Sequence, residues 1–239
     1  VDPLIVSRER RYLIEASLGA SPQATSQTSS QTSSQATSQA TPSTWPAPIA
    51  TAPFEVATRG WRETVQIHLP VGATAADVRA VEDALAAAAP ALPGLEGAWI
   101  AANFVADYGA GHLTWDLRFA DRAAATRARE SGAWRERIAP VLDRRAASFT
   151  ALGLETVGAG LARPGLAQGI KRTALFRAFP GLAPARRDRW ERDLLEMPAH
   201  VPAIVNWRLS RAIPLEWSRS AVPAWTHVWE QEYEKLEGL

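Results

Sequence analysis

The 239-residue chain contains no cysteine, which removes disulfides, thiolate nucleophiles and sulfur-ligated zinc from the outset. Histidine is scarce as well: His68, His112, His200 and His227 are the full set. None stands in the His-x-x-x-His or Glu-x-x-His spacing that puts two ligands on one helix face, so no metal is assigned. Long apolar runs are missing. Nothing approaches the roughly 18 residues that a membrane helix needs, and Arg8, Glu9, Arg10 and Arg11 fall where a signal peptide would carry its apolar core. A cytoplasmic protein without membrane contact is the expectation. Nor is either charge in excess: 26 Lys plus Arg face 25 Asp plus Glu, a net +1, which argues against a nucleic-acid partner. Gly-x-x-x-x-Gly-Lys, strand-linked Gly-x-Gly-x-x-Gly and Gly-x-Ser-x-Gly are all absent, which disfavours nucleotide binding and serine-hydrolase chemistry and implies no cofactor.

What is present, 46% hydrophobic against 21% charged residues, suits a globular protein of one large or two smaller domains. Residues 21–44, SPQATSQTSSQTSSQATSQATPST, carry no charge and no large apolar side chain, too little to offset the entropy of ordering. Residues 21–58 therefore read as a disordered linker behind a short N-terminal segment, residues 1–20. That segment is too short for its own core and must dock on something or stay loose.

From Trp61 a regular order begins. ETVQIHLP alternates Val65, Ile67 and Leu69 with Thr64, Gln66 and His68, the period of a half-buried strand. GATAADVRAVEDALAAAAPAL places Val78, Val81 and Leu85 at helical spacing up to a Pro93-Gly94 break. GAWIAANFVAD and GHLTWDLRF read as strands joined by a turn at Gly109 to Gly111, the second with Leu113, Trp115, Leu117 and Phe119 on one face. A helix with breaks near Gly132 and Pro140 follows, then TALGLETVGAG as a closing strand. The order βαββαβ predicts an α+β, ferredoxin-like unit over residues 59–166. It restarts at residue 169 with IKRTALFRAFPG, APARRDRWERDLLEMP, AIVNWRLSRAI and AWTHVWEQEY, a βαββ series. The chain, which opens on Val1, is expected to stop inside a second unit, residues 169–239, and to be incomplete.

IKRTALFRAFPGLAP, LLEMPAHVPAIVNWRLSRAI and AWTHVWEQEYEKLEG together resemble the stress-responsive α/β-barrel (Dabb) family over about residues 169–239. The first unit is similar in element order more than in letters. The resemblance implies ferredoxin-like units that pair sheet to sheet as a dimeric α/β barrel, here an intramolecular pseudo-dimer or a homo-oligomer. Some plant members are polyketide cyclases in which a strand histidine works on a phenolic product. His227 stands at that position; the first unit has Leu113 there. A histidine often seen on the opening strand is replaced by Arg172 in the second unit and by Glu63 in the first.

His227 is the candidate acid–base residue, since imidazole moves a proton near neutral pH. Trp225, His227, Trp229 and Gln231 are expected on one side of their strand, and Trp225, Trp229, Trp207, Phe176 and Arg172 are assigned to a cleft for a small aromatic or apolar molecule. The plain alternative is a structural histidine packed between tryptophans. Five of the ten tryptophans lie between Trp190 and Trp229, a density that serves a ligand cleft or an interface equally well. His68 and His112 read as surface or interface residues and His200 as a helix-end residue. The rival function is a non-catalytic, oligomerising stress or scaffold protein, and fold analogy alone suggests a monooxygenase.

Overall fold

The computed structural model describes residues 60–103, 111–164, 166, 169–220 and 225–238. The N-terminal segment, the linker and most of the turn at Gly109 lie outside these residues. In the first half, strand β1 (Trp61–His68) leads to helix α1 (Ala75–Ala88), β2 (Leu95–Ala102) and β3 (Leu113–Phe119). Helix α2 (Arg122–Glu130), a π-turn (Trp134–Ile138), α3 (Ala139–Arg145) and the long β4 (Ser148–Leu161) complete it. The second half contributes β5 (Ile170–Phe176), α4 (Pro184–His200), β6 (Asn206–Pro214) and β7 (His227–Tyr233). Of the two predicted helix breaks, one is present, since Ser131 ends α2; at Pro140 the helix runs on, the π-turn Trp134–Ile138 leading directly into α3.

The seven strands of the described residues form one antiparallel sheet in the order β2-β3-β1-β4-β6-β7-β5. The first four give the ferredoxin-like arrangement, and β6-β7-β5 repeats the arrangement of β2-β3-β1. Their registers match: Ile67 pairs with Leu113 as Phe176 pairs with His227, and Trp61 with Phe119 as Ile170 with Tyr233. The joint is β4. Residues 148–154 pair with β1, and from Leu152 onward the strand also pairs with β6, so one strand holds both halves.

Side chains alternate between two sides of this sheet. One side packs on the helices. In the first half it buries Val65, Ile67, Leu113, Trp115, Leu117 and Phe119 against Val81, Leu85 and Ile138. In the second it buries Ala174, Phe176, Leu209 and Trp229 against Leu194 and Trp190 of α4. The other side is concave, because the sheet curls until Lys171 of β5 reaches Asp116 of β3.

That concave side is charged at its centre. Both oxygens of Glu230 bond Arg62 at 2.9 and 3.0 Å, while Arg208 and Lys171 each approach to 2.8 Å. Burial alone would raise the Glu230 pKa, but the three cations hold it well below the usual carboxylate range. Likewise burial acts to lower the Lys171 pKa, and Asp116 and Glu230 together raise it. The pairs are reciprocal between the halves. Arg62 of β1 binds Glu230 of β7, and Lys171 of β5, at the matching place, binds Asp116 of β3.

A second tie is the segment after β6, which crosses onto the first half. Phe149 and Arg219 exchange backbone hydrogen bonds of 2.9 Å, and the Ser218 hydroxyl binds both the N–H and the C=O of Ala151. Trp217 packs edge-on to Trp134 at 5.0 Å, under the Arg129 guanidinium.

Candidate functional site

His227 opens β7 on the side facing α4, 2% exposed. Its Nε2 lies 2.9 Å from Glu191 Oε1, and its Nδ1 lies 2.9 Å from the Thr226 hydroxyl. An ionised carboxylate only accepts, so the ring carries its proton on Nε2 and donates it to Glu191. In the neutral ring Nδ1 then accepts from Thr226.

The threonine suits either protonation state. Its hydroxyl accepts from Ala178 N at 2.8 Å and has Phe176 O within 3.2 Å. When Nδ1 gains a proton, it donates to the hydroxyl, whose own proton turns to Phe176 O. No polar group is stranded in the exchange, the condition for a buried group to titrate without disrupting its surroundings.

Glu191 is buried on α4, between Trp190 and the inward Leu194. Arg211 of β6 clamps it through two 2.8 Å hydrogen bonds, Nε to Oε1 and Nη2 to Oε2. Burial works to raise the Glu191 pKa, but the hydrogen bonds from Arg211 and His227 outweigh it and hold the group below its ordinary value. For His227 the balance is reversed. Burial lowers its pKa, and the attraction of Glu191 only partly offsets this, so the neutral imidazole is favoured.

Around the dyad stand aromatic rings. Trp190 meets the imidazole edge-on at 4.8 Å and Phe176 at 5.3 Å. Trp229 and Trp207 belong to the same cluster, with Trp229 fully buried and Trp207 half-buried. The Trp207 indole lies flat across β4 at Gly160, where any Cβ would come within 2.0 Å of the ring, so this packing requires glycine. Arg172 lies one strand over, its guanidinium 3.4 Å from the Gln231 side chain.

Five of the six expected site residues thus share the helix-facing side of the second half. Trp225 does not. It precedes β7 and packs with Leu152, Leu154, Leu175 and Val228 on the concave side, because the strand alternation that would have aligned it with His227 starts only at His227. Glu191, Arg211 and Thr226 were not expected from the sequence. Among the remaining histidines, His112 accepts from the Leu69 N–H at 3.0 Å through Nδ1, and His200 ends α4. Among the described residues, no three acidic or histidine side chains gather as a metal site, and no helix is long and apolar enough to cross a membrane. A surface depression lined by Ala80, Ala84, Pro140 and Arg144 lies between α1 and α3, away from the dyad.

No protein-family model matches the chain, and no curated protein matches it. Solved structures do. An anthrone oxidase-like protein is similar at 10% identity and a TM-score of 0.56, covering 75% of each chain. A Dabb family protein with a ferredoxin-like fold from Mesorhizobium loti is 19% identical, covering 40% of this chain and 95% of its own at a TM-score of 0.33. A dimeric ferredoxin-like protein of unknown function from Thermobifida fusca is 16% identical, covering 39% of this chain and 88% of its own at 0.35. The chain has an α+β, ferredoxin-like fold.

Proposed function

We propose that the helix-facing side of the second half binds a small apolar or aromatic molecule and that His227 is its acid–base group. The observation that carries this reading is the imidazole itself, which is oriented by Glu191, matched by Thr226 in either protonation state and flanked by Trp190 and Phe176. A neutral imidazole so held can take a proton from a phenol or from a carbon beside a carbonyl and return it elsewhere, the chemistry of a cyclase or lyase. Glu191 is a positioning residue, since it acts through the ring. Half-buried Trp190 has to turn aside for a ligand to reach the imidazole. Titration of the tryptophan emission with phenolic and polyketide-like compounds tests the reading. A saturable change that His227→Ala abolishes supports it, and unchanged emission across the panel counts against it.

The same reading takes the two halves as an intramolecular pseudo-dimer of Dabb type, supported by the reciprocal Arg62–Glu230 and Lys171–Asp116 pairs. A specific observation favours the rival scaffold reading: His227 is 2% exposed, with both ring nitrogens already engaged. Under that reading His227→Ala lowers stability or assembly, and no compound binds the unaltered protein.

A further inference from the structure

The match between the halves leaves one position empty. In the first half β1 has β3 on one side and β4 on the other. Its counterpart β5 has β7 on one side and, among the described residues, no strand on the other. Similarly β6 lies between β7 and β4, while its counterpart β2 pairs only with β3 among the described residues. Just as β4 bridges β1 to β6, a strand in the empty place would bridge β5 to β2 and close the curled sheet. The two outer edges already approach each other, since Lys171 of β5 bonds Asp116 on the neighbour of β2.

We infer that residues 8–16 of this chain, RERRYLIEA, fill that place as an eighth strand. Open edges present rows of N–H and C=O groups that an extended segment pairs with. In an extended segment Arg8, Arg10, Tyr12, Ile14 and Ala16 share one face and Glu9, Arg11, Leu13 and Glu15 the other. Tyr12, Ile14 and Ala16 suit the helix side of the slot, which continues the apolar layer of Ile100 and Ala174, with Arg8 and Arg10 towards the end of that face; the concave side carries Lys171, Asp116 and Thr114. Glu9 and Arg11 bring both signs of charge to a rim that presents both. Reach is ample. The slot lies about 14 Å from β1 across the sheet, three strand spacings, and the linking stretch up to Gly60 spans roughly 35 Å as a random coil.

The test is amide hydrogen exchange on the full chain, comparing the unaltered protein with a Tyr12→Pro/Ile14→Pro double variant. The two prolines remove two ladder donors and are excluded from the interior of a sheet, without altering β1 to β7. The expected result is slow exchange at the outer edges of β2 and β5, lost in the double variant while β1, β3 and β4 stay protected. A fall in melting temperature of more than about 4 °C accompanies it. Fast exchange at both edges of the unaltered protein overturns the proposal, as does slow exchange that survives the prolines. Protection that survives the prolines but vanishes on dilution identifies a second copy as the occupant and equally overturns it. Proline changes at Thr28 and Ser33 in the linker leave the pattern unmoved.

Discussion

Glu82 of α1 and Glu191 of α4 occupy the same place in the two halves, one residue after the inward Val81 and Trp190 respectively. Their surroundings set them apart. Around Glu191 stand Arg211 and His227, and its carboxyl titrates below its ordinary value despite burial. The places of Arg211 and His227 in the first half are held by Ala102 and Leu113, and there burial and Asp83 raise the Glu82 pKa. One framework therefore carries an apolar core in one half and a charged, hydrogen-bonded centre in the other. Differences at two positions around a shared glutamate make a packing face into a candidate site, which is why fold alone does not give function.

The strongest way to break the comparison is to remove what joins the halves. Glu230→Ala leaves Arg62, Arg208 and Lys171 buried around a missing partner, and a loss of about 3–5 kcal/mol is expected in denaturant unfolding. Glu191→Ala tests the second half alone. It should cost about 1.5–3 kcal/mol, since it strands Arg211 and the His227 Nε2 proton, and the same experiment on Glu82→Ala should show much less.

Helix starts offer a sharper, smaller contrast. Thr74 caps α1 in a reciprocal box with Asp77, whereas Ala183, at the same place before α4, gives no side-chain cap. Thr74→Ala should cost about 1 kcal/mol and Ala183→Ser should gain a similar amount, both read from thermal melts. The smallest effect is in pH. The folded-state pKa of His227 lies below its ordinary 6.5, so its contribution is complete above that pH and is lost as pH falls through the lower folded value. Glu191, also lowered, adds a loss of the same sign below its ordinary 4.5. Stability should therefore fall on acidification below 6.5, less steeply in His227→Phe.

Much of this was legible in the sequence. The period-2 run of β3 and the helix break near Gly132 follow from local sterics, and so does the Pro180-Gly181 turn, where Gly181 takes a φ of +80°. The double role of β4 was not, because pairing partners far apart in the chain leave no local periodicity. Nothing local marks Lys171 and Glu230 as buried, because charged residues on a strand face are ordinarily solvated and only a curled sheet turns that face into an interior. Glu191 sits in the charged run RRDRWERD and looks like helix surface. Its three-residue spacing from Leu194 was the signal that it belonged to the inward stripe. Trp225 failed for the opposite reason, as alternation was extended one step beyond the strand that enforces it.

The central claim is that the second half holds a neutral imidazole, oriented by Glu191 and ready to accept a proton at Nδ1. Nitrogen-15 NMR of the His227 ring across the pH range tests it most directly. The expected result is the Nε2-protonated neutral form at neutral pH, a titration below 6.5, and a mixture of tautomers in Glu191→Gln. A ring already charged at neutral pH, or one protonated on Nδ1 alone, would contradict it.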